Sequence, residues 1–167
     1  MNVRAQYPNE ISTVQNPTLG AYALWRFGLA FEARENNEPR IPLAFLVLPL
    51  VLHEATRKVI LSTHKASGFA LFAGKLGEQR EEILTIHNRV RQLRELTLES
   101  IALGEQAGLL TLNVELASIR SRQLGADKAP QELPIGLSWV NPACERVGHW
   151  FGSLTDEHIA RTLCVEF

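Results

Sequence analysis

The chain has 167 residues, of which 46% are hydrophobic and 21% are charged, and its formal net charge is −1 with histidine neutral. This length suits one ordinary domain, and the hydrophobic content excludes an intrinsically disordered chain. The near-neutral charge excludes the strongly positive field of a dedicated nucleic-acid-binding protein, while a local basic face stays open as an interpretation.

Cysteine content and hydropathy indicate the compartment. Cys144 and Cys164 are the only cysteines and form no disulfide framework, which favours a reducing cytosol. The first residues contain no apolar segment of the kind found in signal peptides. The longest apolar run, residues 41–52, is about half of the roughly 20 residues that span a bilayer. We therefore predict a cytoplasmic protein with no membrane partner.

A polar start predicts a flexible N-terminal arm over residues 1–15, followed by a single winged-helix-like helical domain over residues 16–167 that ends in C-terminal helices. Asn16 followed by proline is typical of a helix N-cap, so we predict a first helix over residues 17–35.

The first predicted helix is apolar on more than one side. Leu24, Trp25 and Leu29 fall outside its main apolar stripe. One interpretation is a central helix of its own domain. The other is a helix face covered by another chain, which makes these three residues candidates for a partner-binding surface.

The next predicted elements are short. Residues 41–52 favour a buried helix, because Pro49 would interrupt a central strand. Residues 54–61 form a short amphipathic pattern. A further short helix follows Ser67-Gly68 and is expected to end at Gly74 and Gly77.

The longest predicted helix covers residues 78–106, with a near-heptad apolar spacing that is interrupted at Thr97. About 29 residues would span roughly 43 Å at 1.5 Å per residue. Such a helix exceeds one small core, so we expect part of it to dock on a partner.

The rest of the sequence, residues 108–167, predicts a hairpin and two helices. Gly108 suits the end of the long helix, and residues 109–122 alternate with period two around Asn113, which indicates a β-hairpin. After a polar loop, helices are expected over residues 141–152 and from Thr155, with a short strand at residues 164–167. The fold class is mainly α with a small β-hairpin.

Sequence motifs for catalysis are incomplete. His53-Glu54 starts like a zinc metalloprotease motif, but Arg57 occupies the position of the second histidine. Phosphate-binding loops, dinucleotide fingerprints and nucleophile elbows do not occur in the sequence. Cys144 lies among apolar residues and suits core packing better than an activated thiolate. We predict no enzyme, cofactor or metal site, although distant residues can still assemble one in space.

Basic residues cluster in three places and are candidates for contacts with nucleic acid or an acidic partner. These residues are Arg57, Lys58, Arg89, Arg91, Arg94, Arg120 and Arg122. A helix pair, a helix and a hairpin follow the order of a winged-helix module, so a winged-helix nucleic-acid-binding regulator is one alternative. Glutamates interleave the arginines of the long helix, which favours a solvated or protein-binding face.

Four segments together resemble a known family: NPTLGAYALWRF at 16–27, IPLAFLVLPLVLHEATRK at 41–58, EQAGLLTL at 105–112 and ACERVGHWFG at 143–152. In order and spacing, they are similar to the middle component of bacterial three-component ABC systems, which is encoded between an SMC-like ABC ATPase and an effector. The resemblance covers most of residues 16–167.

The resemblance implies a non-enzymatic accessory subunit that bridges the ATPase and a toxic effector, often a nuclease, in defence against phage or plasmids, as in Lamassu-type systems. It implies no catalytic residues. It also supplies a reason for apolar faces around Leu24 and Trp25, which subunits of an obligate assembly would cover. DNA contact within the complex is a further expectation.

Overall fold

A computed structural model describes residues 15–125 and 133–167. Within these ranges the chain forms eight α-helices and one two-stranded antiparallel sheet, so the predicted mainly α fold with a small β-hairpin is confirmed. The helices are α1 (Pro17–Glu35), α2 (Ile41–Val51), α3 (Glu54–Ser62), α4 (Gly68–Glu78), α5 (Arg80–Gln92), α6 (Arg94–Gln106), α7 (Val140–Phe151) and α8 (Asp156–Thr162). The strands are β1 (Leu110–Asn113) and β2 (Ser118–Ser121).

The predicted flexible N-terminal arm and the predicted winged-helix-like domain both stay predictions. The N-terminal arm falls outside the described residues except for Gln15, and the winged-helix comparison stays a prediction. None of the helices in the described part of the chain combines the length and apolarity needed to cross a membrane.

Helix α1 is the central helix of the fold and has the predicted bounds. Asn16 Oδ1 accepts a hydrogen bond from Thr18 N at 2.8 Å, and Asn36 ends the helix in the left-handed region with φ 57°. Helices α2, α6 and α7 and strand β2 all pack against α1. Its apolar residues outside the main stripe therefore have neighbours within the chain itself.

Glycines let two helices approach α1 closely. A Cβ added at Gly148 of α7 would overlap the carbonyl oxygen of Phe27, and one added at Gly152 would lie 2.7 Å from the carbonyl oxygen of Phe31. At Gly20 of α1, an added Cβ would overlap Oγ of Ser100 on α6. Close packing of backbone against backbone leaves no room for a side chain at these positions.

Helix α2 is the apolar interior of the molecule, and the choice of helix over strand is confirmed. Leu43, Leu46 and Val47 have no exposed surface. Pro49 lies inside the helix, two residues before its end, and its missing N–H removes one hydrogen bond, to the carbonyl oxygen of Phe45.

Helix α4 continues through Gly74, so that part of the prediction is wrong, and it ends at Glu78, one residue after Gly77. Glycine costs stability inside a helix without forbidding the helical conformation. The buried side chains of Phe69, Phe72 and Leu76 keep the segment helical by packing against the core.

The predicted long helix is divided at Leu93, where φ is −94° and ψ is 9°. Helix α5 packs against α2, whereas α6 packs against α1. The chain bends because its two halves bury their apolar faces against different helices. The prediction of one helix of roughly 43 Å is therefore wrong.

The predicted hairpin is confirmed, with Leu110 opposite Ser121 and Asn113 opposite Ser118. Gly108 has φ 70° and ends α6 as predicted. The turn differs from the predicted tight point at Asn113, because residues 114–117 form the loop and leave Val114 78% exposed.

The two C-terminal helices are confirmed, and Oγ1 of Thr155 caps α8 by accepting a hydrogen bond from His158 N at 3.2 Å. The predicted terminal strand is wrong. Cys164 turns the chain with φ 55°, and Val165 N donates to the carbonyl oxygen of Ala160 at 2.9 Å, so the tail folds back on the end of α8.

Candidate partner-binding surface

Two of the three predicted partner-binding residues lie inside the fold. Leu24 is 3% exposed and Trp25 is 2% exposed. The indole N–H of Trp25 donates to the carbonyl oxygen of Arg122 at 2.9 Å, just beyond β2. Assigning these two residues to a partner surface is therefore wrong, since the chain's own helices and hairpin cover them. Leu29 is half-buried at an open groove and stays a candidate.

Arg89 is a structural residue rather than a surface contact. Its guanidinium donates to the carbonyl oxygen of Pro49 at 3.1 Å, to Oγ1 of Thr56 at 2.9 Å and to the carbonyl oxygen of Glu82 at 3.0 Å. Its side chain is 11% exposed, and burial lowers its pKa. It joins α5 to α2 and α3, so its predicted contact with nucleic acid or an acidic partner is wrong.

Arg57 is also used within the fold. It donates to the carbonyl oxygens of Val51 at 3.4 Å and Leu52 at 3.3 Å, where the C-terminal end of α2 carries partial negative charge. Its guanidinium lies 4.0 Å from the centre of the Trp139 ring, a cation–π contact. Its pKa is lowered, chiefly by burial.

Two more of the predicted cations are paired with carboxylates on the surface. Lys58 Nζ lies 2.6 Å from Glu54 Oε1, one helical turn earlier in α3. Arg120 Nη2 lies 2.6 Å from Glu38 Oε1. Both cations remain largely exposed, so these pairs reduce their charge without burying it.

Arg91, Arg94 and Arg122 are exposed and form no ion pair with another described residue. Arg91 and Arg94 flank the bend before α6, whereas Arg122 N donates to Leu109 O beyond the other end of α6. Helix α6 has 13 residues, so the two sites are about 20 Å apart. These arginines do not form one basic patch.

The structure reveals a groove between α1 and α7 that the sequence patterns did not predict. The α1/α7 groove is lined by Arg26, Leu29, Ala30, Ala33, Arg34, Lys65, Glu145 and His149, with a volume of about 440 Å³. A second cavity of about 310 Å³ shares Arg34, Lys65 and His149 with it and extends to Phe69 and His158. The two cavities therefore adjoin at these three residues.

The shared part of the groove is positively charged. Arg26 pairs with Glu145 at one side. Arg34, Lys65 and His149 have no carboxylate within 4.0 Å among the described residues. Burial lowers the pKa of His149, and the nearby charges of Arg34 and Lys65 lower it further. The lowered pKa keeps His149 uncharged at neutral pH, so the groove presents two cations, Arg34 and Lys65, without neutralising partners.

Local packing positions the stem of Arg34 and the backbone of Lys65. The aliphatic stem of Arg34 lies over Gly152, where an added Cβ would be 3.0 Å from Arg34 Cβ. The backbone of Lys65 is tied to α7, because its carbonyl oxygen accepts a hydrogen bond from Trp150 Nε1 at 2.9 Å. The one sequence signal for this site is the pair of glycines four residues apart, Gly148 and Gly152, which brings α7 against α1.

His53 and Cys144, which the sequence offered as a possible metal ligand and a possible nucleophile, have structural roles in the fold. His53 caps α3, its Nδ1 accepting from Thr56 N at 3.5 Å, and burial lowers its pKa. Cys144 has no exposed surface, and burial raises its pKa to about 12, so its thiol stays protonated. Residues 15–125 and 133–167 contain no group of three residues able to hold a metal ion.

The fold and groove define a class of mainly helical protein with an open cationic groove on one side. A family model for the ABC-three component (ABC-3C) system Middle Component 3 matches residues 4–167. The chain belongs to this family of middle components, and the resemblance seen in the sequence is confirmed. No curated protein and no solved structure matches the chain.

Proposed function

We propose that this chain is a non-catalytic, cytoplasmic adaptor that bridges an SMC-like ABC ATPase and an effector, often a nuclease, in a Lamassu-type defence complex against phage or plasmids. The observation that carries the proposal is the match of residues 4–167 to the middle-component family. A middle component of a three-component system implies partner components, and the adaptor role accounts for that position.

The chemistry of the described residues supports a binding role over a catalytic one. Cys144 is buried and protonated, His53 is the N-cap of α3, and Arg89 joins α5 to α2 and α3. Perturbed titratable groups often mark active sites, but burial is the chief cause of the pKa shifts of Cys144, His53 and Arg89. No step of catalysis is therefore assigned to these groups.

Two separate exposed surfaces support a bridging role. The α1/α7 groove lies along the second half of α1. A second exposed region lies on α5 and α6, where Leu84 is 66% exposed and Leu98 is 42% exposed. Helix α6 meets α1 near Gly20, far from the groove residues of α1. An adaptor needs two such surfaces to hold two partners at once.

Direct DNA binding is the alternative, and the exposed Arg91 and Arg94 are the observation that favours it. A phosphate-binding surface requires several cations along one path. The separation of these two residues from Arg122 makes the alternative weaker than the adaptor role. Fluorescence anisotropy with duplex DNA at several salt concentrations measures it directly, since phosphate contacts give a steep salt dependence.

The test of the adaptor role is reconstitution with the ATPase and effector encoded beside this chain. We expect the three proteins to elute together in size-exclusion chromatography with light scattering, and the ATPase and effector to elute separately when this chain is omitted. The proposal would be contradicted if this chain stayed monomeric and bound neither protein. It would also be contradicted if the ATPase and effector formed their complex without this chain.

A further inference from the structure

The α1/α7 groove contains positive charge, from Arg34 and Lys65, that no carboxylate of the described residues pairs with. Arg34, Lys65 and His149 come from α1, the turn before α4, and α7, and they meet where the two cavities adjoin. The described residues place no carboxylate within 4.0 Å of any of them. Concentrated like charge in one groove is unfavourable unless a ligand neutralises it.

The same groove has an apolar wall of a size suited to peptide side chains. Leu29 is half-buried, and Ala30 and Ala33 next to it have short side chains that leave the wall shallow. A groove with an apolar wall and a charged rim fits an amphipathic segment, whose apolar residues pack and whose charges pair.

We infer that the α1/α7 groove binds an acidic segment of one partner protein, whose Asp or Glu carboxylates pair with Arg34 and Lys65, beside the neutral imidazole of His149, while an apolar residue packs on Leu29. This inference rests on the proposed adaptor function and adds the chemistry of the partner. Charge complementarity identifies the occupant, because paired carboxylates are the groups that these cations lack.

An acidic protein segment fits the groove better than a nucleic-acid backbone. Glu145 also lines the groove, with 41% of its side chain exposed, and would repel any anion placed beside it, carboxylate or phosphate. A peptide can place its carboxylates at selected positions, whereas a nucleic acid carries charge at every phosphate. The apolar wall at Leu29 offers nothing to a phosphate.

The first experiment is carbodiimide cross-linking of the full chain in complex with its co-encoded ATPase and effector, because this reagent joins amines to carboxylates that are in contact. We expect Lys65 to link to Asp or Glu residues within one segment of one partner, identified by mass spectrometry. The intrachain pair of Lys58 and Glu54, 2.6 Å apart, is an internal control for the reagent.

The second experiment compares two charge-reversed variants. Arg34→Glu with Lys65→Glu is expected to weaken binding of the cross-linked partner about tenfold, since two attractive contacts become repulsive. Arg40→Glu with Arg161→Glu changes the charge by the same amount at two exposed residues that do not line either cavity, and is expected to change that affinity less than about twofold. Glutamate keeps the Cβ and Cγ with which Arg34 covers Gly152, so the fold should persist, and circular dichroism checks it.

The outcomes separate the two proposals. If no complex forms, the adaptor function fails and this inference fails with it. If the complex and the Lys58–Glu54 link both form while Lys65 links to no partner, the groove inference is wrong and the adaptor function stands. Equal losses in the two double variants would assign the effect to overall charge and overturn the inference.

Detection of either of two other occupants in the α1/α7 groove would also overturn the inference. A link from Lys65 to Asp127 or Glu132 in the isolated chain would mean that the chain's own segment fills the groove. Protection of Lys65 from acetylation by a duplex oligonucleotide, in the absence of both partners, would mean that the groove binds nucleic acid.

Discussion

The contact between α1 and α7 and the outer part of the molecule use the same residue types for different reasons. Gly148 is a glycine because an added Cβ would overlap the backbone of α1, whereas Gly74 faces open space on α4. Cys144 is buried beside Gly148 on α7, and Cys164 is exposed in the tail. The difference teaches that residue type alone does not reveal which positions the fold depends on.

The largest expected difference concerns the two cysteines. The pKa of Cys144 is raised to about 12, so at neutral pH its thiolate fraction is about a thousandfold below that of an unperturbed thiol. We expect iodoacetamide to label Cys164 in the native protein and to leave Cys144 unmodified, as measured by peptide mass spectrometry. Both should react in urea. Native labelling of Cys144 at the rate of Cys164 would mean that the α1–α7 contact opens readily.

The two glycines should respond to alanine with opposite signs. Gly148→Ala forces α7 away from Phe27, and we expect the free energy of unfolding to fall by about 3 kcal/mol. Gly74→Ala fills open space and reduces the freedom of the unfolded chain, so it should stabilise by about 0.5–1 kcal/mol. Urea titration followed by circular dichroism measures both. Equal destabilisation by the two variants would show that the α4 face is also closely packed.

The arginines of α5 form a similar pair. Arg89→Met removes hydrogen bonds to Pro49 and Thr56 inside the fold, and should cost about 2 kcal/mol. Arg91→Met removes an exposed charge and should change stability by less than about 0.5 kcal/mol. The measurement is again urea unfolding. A small effect at Arg89 would restore it as a candidate for partner contact.

The smallest expected effect is on pH dependence. The pKa of His53 is lowered first by burial and then by the charge of Arg89, so protonation costs more in the folded than in the unfolded state. The contribution of the neutral His53 side chain to the free energy of unfolding is fully present above a pH of about 6.5. It is lost as the pH falls through the lowered pKa. His53→Asn keeps an N-cap without the titration. Urea unfolding at two pH values should show a weaker pH dependence in this variant than in His64→Asn.

The bounds of most elements were predictable because they depend on neighbouring residues. Asn16 and Thr155 cap helices through hydrogen bonds to backbone N–H groups two or three residues away, and Gly108 turns the chain through its own φ. Such signals are complete within a short window. The family resemblance was equally accessible, since it depends on the order of short segments.

The candidate surface was less predictable, because burial depends on distant residues. Leu24 and Trp25 lie outside the main stripe of α1, but a second layer from α6 and the hairpin covers them. Arg89 belongs to an interleaved charged pattern, yet its partners lie 33 and 40 residues away. Neither fact is contained in local periodicity.

The sequence by itself determined the mainly α fold, the hairpin, the capped ends of the helices and the family. These features depend on hydrogen bonds between residues close together in the sequence and on the order of the segments. Only the tertiary structure decided where α5 ends and α6 begins, which apolar residues are covered, and that Arg34, Lys65 and His149 meet in one groove. These depend on α7 packing on α1 through Gly148 and Gly152, a contact between segments more than a hundred residues apart.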